Sequence, residues 1–124
     1  MNFIQFKTYK CKVSYSKYIS NQRISITLVD YDDDYPIAVA TVNIPEENLD
    51  YNEVAIKNWS ENEGILQTLI DAGIINKPHR QVDIGFVKAD ICYLNDGLEI
   101  LKNLLTQNTY IDDKHELFKV QNSV

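Results

Sequence analysis

The sequence predicts an α+β fold: a mainly antiparallel sheet of about five to six strands with two helices packed on one face. The first third of the chain alternates apolar and polar residues with a period of two and is interrupted only by short turn segments. Two later segments carry apolar residues at helical spacing. A doubly wound parallel sheet needs a helix between each pair of strands, so that fold is not expected.

Length and composition predict a single globular domain, residues 1–124. Because 44% of the residues are hydrophobic, a disordered chain is not expected. No window approaches 18 apolar residues, and the first residues lack the charged and apolar regions of a secretory signal. Two cysteines are too few for a disulfide scaffold. We therefore expect a soluble, cytoplasmic protein.

Strands are predicted from the alternating segments in the first half of the chain. The first carries Cys11, Val13 and Tyr15 on one face. Residues 24–29 and 37–44 are expected to form an antiparallel pair, because the residues between them favour turns. Residues 53–59 are predicted to form a further strand.

The first helix is predicted from a capping-box pattern. The Ser60 hydroxyl can accept a hydrogen bond from the amide three residues on, and Glu63 can reach back to the Ser60 amide. Gly73 occupies the position of a left-handed C-cap, which predicts a helix of about 12 residues. Its apolar stripe consists of Ile65, Leu66, Leu69 and Ile70.

Residues 81–94 are predicted to form one long strand with a bulge or bend near Val87, where the alternation changes parity. Asn95 or Asp96 is expected to cap a second helix. In residues 109–124 a short terminal helix from about Asp112 is considered. The apolar stripe predicted for the second helix consists of Leu98, Leu101, Leu104 and Leu105.

The charge is unevenly distributed along the chain. Residues 1–29 hold five basic residues and no acidic ones, whereas residues 30–124 hold seven basic and 18 acidic residues, a charge of −11. The acidic part would repel a phosphate backbone, so direct binding to nucleic acid is disfavoured there and a basic protein surface is the expected partner. The five basic residues are Lys7, Lys10, Lys12, Lys17 and Arg23.

No catalytic, metal or cofactor site is expected. His79, predicted to lie in a surface loop, and His115 lack ligands at metal-binding spacing, and the four glycines never cluster as a phosphate-binding loop does. Cys92 could form a nucleophilic triad with His115 and Asp112 or Asp113. Because no glycine-rich elbow flanks Cys92, a core cysteine is the preferred interpretation, and the protein is not expected to be an enzyme.

Residues 30–34 could form a solvated turn, a surface facing a partner, or an ion site. The EF-hand pattern is absent, because Tyr35 and Thr41 stand where that pattern needs Gly and Glu. Carboxylates two residues apart on an extended segment are separated by about 6.6 Å, which resembles a row of phosphates. Two further acidic groups have ordinary explanations as a loop and a helix N-terminus. The predicted partner-binding residues are Asp30, Asp32, Asp33, Asp34, Glu46, Glu47, Asp50, Glu61 and Glu63.

Three segments carry a resemblance to a known family: residues 57–64 (KNWSENEG), 40–45 (ATVNIP) and 83–87 (DIGFV). They resemble a family of small uncharacterised proteins carried by phages, plasmids and conjugative elements of low-GC Gram-positive bacteria, over residues 24–94. The family implies no enzymatic activity. Small acidic proteins of such elements include anti-CRISPR proteins, so the resemblance implies an inhibitor of a type II Cas9–guide RNA complex in the bacterial host cell. The alternative is an accessory or regulatory interaction module of a mobile element.

Overall fold

The computed structural model describes residues 2–107, 109–112 and 117–119, and it confirms the α+β fold class. In the described residues the strands form two sheets, a six-stranded sheet A and a three-stranded sheet B. In chain order the elements are β1 (Ile4–Phe6), β2 (Tyr9–Tyr18), β3 (Ile24–Asp30), β4 (Pro36–Val39), β5 (Glu53–Ile56), a 3₁₀ turn (Ser60–Asn62), α1 (Ile65–Asp71), β6 (Arg80–Ile84), β7 (Val87–Tyr93), α2 (Gly97–Leu104), β8 (Thr109–Ile111) and β9 (Leu117–Lys119).

Sheet A has the strand order β4-β3-β2-β8-β9, and β1 pairs with β2 on the edge that β8 also uses. All of its pairings are antiparallel except β2 with β8. The expected pairing around residues 30–34 is confirmed, since Leu28 of β3 lies opposite Ala38 of β4. The predicted strand 37–44 leaves sheet A after Val39. The Ala40 amide still bonds to Ile26 of sheet A, and the Val42 amide bonds to Ala55 of sheet B, so this segment links the sheets.

Sheet B has the order β5-β7-β6, and it corrects the prediction of one long strand over residues 81–94. These residues form a hairpin in which Ile84 pairs with Val87. Gly85 occupies the turn with φ 64°, as the first position of a type II′ turn requires. A two-residue turn places even-numbered residues of β6 opposite odd-numbered residues of β7, so the change of parity marked a turn and not a bulge.

Helix α1 begins later than predicted and is seven residues long. Ser60 adopts φ 55°, and Ser60–Asn62 forms a single 3₁₀ turn without a side-chain cap, so the capping-box prediction is wrong. Asn58 caps the helix instead: its Oδ1 accepts hydrogen bonds from the amides of Gly64 (3.1 Å) and Leu66 (3.0 Å). The predicted end at Gly73 is confirmed by its φ of 76° and by its amide, which bonds to the Ile70 carbonyl.

Helix α2 follows Asp96, which occupies the predicted N-cap position but makes no side-chain cap hydrogen bond. Leu104 is buried, and Ile100 and Leu101 pack against the core. Leu98 and Leu105 are 54% and 69% exposed, so the prediction that they belong to the buried stripe is wrong. Leu98 and Leu105 are seven residues apart and so project from the same side of α2, next to the face that packs against the core.

The main core lies between sheet A, one face of sheet B and the two helices, which contribute the buried hydrophobic residues Ile65, Leu69 and Leu104. A smaller core lies on the other face of sheet B, where Trp59 packs against it. Cys92 is fully buried in the main core, which confirms the interpretation of Cys92 as a core residue.

The described part of the tail consists of strands. β8 lies beside the end of β2, and β9 pairs with β8. A terminal helix is therefore wrong for Leu117–Lys119, while residues 113–116 and 120–124 lie outside the described part. None of the helices in the described residues is long and apolar enough to cross a membrane.

Candidate protein-binding surface

Residues 30–34, here called the acidic turn, join β3 to β4. The Asp30 carboxylate accepts hydrogen bonds from the amides of Asp32 (3.0 Å) and Asp33 (3.1 Å), and Asp33 Oδ1 accepts one from the Tyr35 amide (2.9 Å). The two backbone hydrogen bonds lower the pKa of Asp30. Hydrogen bonds from its own backbone amides to its carboxylates therefore fix the conformation of the turn, as is common for aspartates in turns.

The charges of the acidic turn are not equivalent. Asp34 forms an ion pair with Lys12 at 2.8 Å, on the solvent-exposed side of the sheet. Asp32 and Asp33 are exposed and form no ion pair within residues 2–107, 109–112 and 117–119. Their two negative charges are therefore available to a partner.

Two tyrosines accompany these charges. Tyr9 is 47% exposed and Tyr35 is 68% exposed, and both line a groove of about 390 Å³ together with Asp30, Asp33 and the start of β4. Tyrosine is enriched at the centres of protein interfaces because it offers a large apolar ring and a hydroxyl group. We call Tyr9, Asp32, Asp33 and Tyr35 the acidic–tyrosine surface. Neither tyrosine was among the predicted partner-binding residues, although Tyr35 directly follows the aspartates.

The second predicted acidic group lies at the opposite end of sheet A. Arg23, just before β3, donates hydrogen bonds to the carbonyls of Ile44 (2.7 Å) and Glu47, which ties the 44–50 loop to that end. The acidic turn follows the other end of β3, about 20 Å away for a seven-residue strand. The predicted partner-binding residues therefore do not form one continuous patch.

Within the 44–50 loop, one of the predicted residues has an internal partner. Glu47 forms an ion pair with Arg80 at 2.8 Å, and Arg80 also donates to the Asn48 carbonyl at 2.9 Å. Glu46 and Asp50 are exposed and have no ion pair in the described part of the chain. The ion pair with Glu47 and the hydrogen bond to Asn48 therefore connect the 44–50 loop to Arg80 of β6.

The third predicted group lies nearer to the acidic turn. Lys7, in the turn between β1 and β2, donates to the Glu61 carbonyl at 2.6 Å, so Glu61 sits at the end of sheet A where β3 finishes. The Glu61 side chain pairs with Lys57 at 3.1 Å. A hydrogen bond from its own amide and the contact with Lys57 lower the pKa of Glu61. Glu63 is exposed.

A polar cluster on sheet B was not anticipated. Glu53, 8% exposed, accepts a 2.6 Å hydrogen bond from His79 Nε2 and a 2.8 Å hydrogen bond from the Asp50 amide, and Arg80 lies 4.0 Å away. The His79 ring stacks on Tyr93 at 4.2 Å. Burial raises the pKa of Glu53, but the hydrogen bonds and the positive charge of Arg80 outweigh it, and the net shift is downward.

The structure confirms that His79 lies in an exposed loop, directly before β6, and adds contacts that were not predicted. Its side chain is 30% exposed and is held between Glu53 and Tyr93. Glu53 and His79 are 26 residues apart in sequence, and the pairing of both β5 and β6 with β7 brings their segments together. No local pattern in the sequence could have revealed this contact.

The geometry at Cys92 bears on the alternative of a cysteine nucleophile. Burial, and then the charge of Asp90, raise the pKa of the Cys92 thiol to about 12. A thiol with this pKa is protonated at neutral pH and is a poor nucleophile. Of its proposed triad partners, His115 and Asp113 lie outside the described residues.

Comparisons of the chain with protein-family models, with curated proteins and with solved structures find no match. The fold and the surface define a class only: a small α+β protein that exposes carboxylates and tyrosines together at one end of its larger sheet.

Proposed function

We propose that this protein is a non-enzymatic inhibitor that binds a basic surface of a host defence nuclease in the bacterial cytoplasm, with a type II Cas9–guide RNA complex as the target. The observation that carries the proposal is the acidic–tyrosine surface, in which Asp32 and Asp33 lie exposed on a turn that is already ordered. An ordered loop loses little conformational entropy on binding, which favours recognition.

Charge and aromatic area have different parts in this binding. The exposed charges of Asp32 and Asp33 steer this surface towards a positive partner and raise the association rate. The rings of Tyr9 and Tyr35 supply apolar contact area, which slows dissociation. Cas9 holds its guide and target in a positively charged channel and reads the PAM with arginines, so it offers the complementary surface.

The chemistry of the described residues also supports a binding role in place of catalysis. Cys92 is buried and its pKa is about 12. The imidazole of His79 is hydrogen-bonded to Glu53 and stacked on Tyr93, and no cysteine, serine or threonine in the described part of the chain is seen to hydrogen-bond to it. Binding through the acidic–tyrosine surface needs no cofactor.

The test is cleavage of target DNA by purified Cas9 with its guide RNA, combined with a direct binding assay at several salt concentrations. The double variant Asp32→Asn, Asp33→Asn should weaken inhibition roughly tenfold, because it associates more slowly. Added salt should weaken inhibition by the wild-type protein for the same reason. The matched control is Glu46→Gln with Asp50→Asn, which removes the same charge at the opposite end of sheet A and should inhibit like the wild type.

Two results would contradict the proposal. If the wild-type protein inhibits none of several type II Cas9 orthologues, the protein is not a Cas9 inhibitor, and the alternative of an accessory interaction module is favoured. If both double variants lose inhibition equally, net charge and not the acidic–tyrosine surface drives the binding.

A further inference from the structure

A second recessed site lies between α1 and the segment that leads into β6, away from the acidic turn. It is a cleft of about 540 Å³. Leu66 and Ile70 of α1 form one apolar wall, and Pro78 lies in the segment across from them. Lys77, Gln81 and Asp90 are among the polar residues that line it.

Asp90 is the unusual member of this lining, because only 9% of its surface is exposed. It lies opposite Gln81 in the ladder between β6 and β7, and Gln81 Nε2 donates a 2.8 Å hydrogen bond to Asp90 Oδ1. No basic side chain in the described part of the chain lies within ion-pair distance of Asp90. A buried carboxylate without a counter-ion is costly, and a cation that enters the cleft would offset this cost.

We propose that this cleft receives an arginine side chain of a protein partner, with the guanidinium against Asp90. Leu66, Ile70 and Pro78 match the aliphatic part of such a side chain. Asp90 Oδ2 accepts from the guanidinium, because the described hydrogen bond occupies Oδ1.

The basic residues beside the cleft do not neutralise Asp90. Arg80 lines the cleft, but its guanidinium bonds to Glu47 and to the Asn48 carbonyl. Lys77 is exposed and has no ion pair among the described residues, so its ammonium group remains in solvent. Asp90 thus carries the one carboxylate among the described residues that line the cleft, and this carboxylate has no ion pair there.

This inference deepens the proposed function, on which it rests for the basic character of the partner, but its test does not involve the nuclease. The ¹⁵N-labelled full chain is titrated with the peptide acetyl-Gly-Arg-Gly-amide and followed by NMR. The matched peptide contains citrulline, which has the shape of arginine without its charge. We expect saturable shifts at Leu66, Gln81 and Asp90 with the arginine peptide and at least tenfold weaker binding of the citrulline peptide.

Two variants locate the binding. Asp90→Asn keeps the shape of the side chain and should weaken binding of the arginine peptide at least tenfold. Asp83→Asn, at an exposed site on the same hairpin, should leave the affinity for this peptide unchanged. Gln67→Trp, at an exposed position of α1 beside the cleft, should block binding without any change at Asp90. Thermal melts show that each variant is folded.

The inference is overturned if citrulline binds as well as arginine, if Asp90→Asn binds like the wild type, or if the shifts map to the acidic turn. Failure of the nuclease assay with arginine binding intact would contradict only the target named above.

Discussion

The carboxylate of Glu53 and the imidazole of His79 share a 2.6 Å hydrogen bond at the edge of the smaller core. The same carboxylate accepts from the Asp50 amide, so the end of the 44–50 loop is tied to sheet B. Trp59, the only tryptophan of the chain, packs against the core on this face. The polar contacts of Glu53 and the packing of this core are therefore coupled, and tryptophan fluorescence can report on both.

We expect the stability of the protein to depend on pH through Glu53. Its pKa in the folded state lies below the ordinary value of 4.5. A lowered carboxyl pKa contributes stability that is present above pH 4.5 and is lost as the pH falls through the folded pKa. Glu53→Gln should therefore cost roughly 1–3 kcal/mol at pH 7, and its difference from the wild type should shrink towards pH 3.

The measurement is urea unfolding followed by Trp59 fluorescence at pH 7 and pH 3. Asp30 and Glu61, whose pKa values are also lowered, contribute equally to both proteins and cancel in the difference. Glu46→Gln, at an exposed carboxylate of the 44–50 loop, serves as the control, and its free energy of unfolding should equal that of the wild type at both pH values. A difference between Glu53→Gln and the wild type that is the same at pH 7 and pH 3 would show that the charge of Glu53 does not stabilise the fold.

Asn58 should be more important for α1 than Ser60. Asn58→Ala removes the side chain that caps the amides of Gly64 and Leu66, and should lower the free energy of unfolding by about 1 kcal/mol. Ser60→Gly should be neutral or stabilise by up to about 1 kcal/mol, because Ser60 has φ 55°. Circular-dichroism melts compare the two variants. The opposite order of melting temperatures would restore Ser60 as the cap.

Gly97 is expected to tolerate no side chain. A Cβ at this position would lie 2.8 Å from Asn52 Cβ, so Gly97→Ala should destabilise the fold by about 1–3 kcal/mol. Asn52→Gly removes the clashing atom. The double variant should therefore lose less stability than the sum of the single variants, as measured by chemical unfolding. If the changes in the free energy of unfolding are strictly additive, residues 52 and 97 do not contact each other.

Arg23 should resist replacement by lysine. Its guanidinium donates to two carbonyls of the 44–50 loop, those of Ile44 and Glu47, and a lysine cannot reproduce this forked geometry. Arg23→Lys should cost about 1 kcal/mol and increase amide hydrogen exchange in the loop. The Lys102→Arg variant, at an exposed position, is the control for the chemical change. Unchanged exchange in Arg23→Lys would show that the arginine does not hold the loop.

The parts of the fold that could be predicted are those governed by local periodicity. The alternation in residues 24–29 and the turn residues after them predict β3 and its pairing with β4, and both are observed. Gly73 marks the end of α1 for a similar reason, since few residues adopt a positive φ without strain. Such preferences act within a few residues of each other, so the sequence displays them directly.

The remaining features depend on contacts between distant segments. By itself the sequence determined the α+β class, most of the strand positions, the buried character of Cys92 and the excess of acidic residues. Only the tertiary structure decided that residues 40–42 join two sheets and that Glu53 contacts His79. It also decided that the 44–50 loop lies at the opposite end of sheet A from the acidic turn. The physical reason is that strand pairing and ion pairing depend on which segments pack together. The periodicity of hydrophobic residues predicts which residues are buried, but not which segment packs against them.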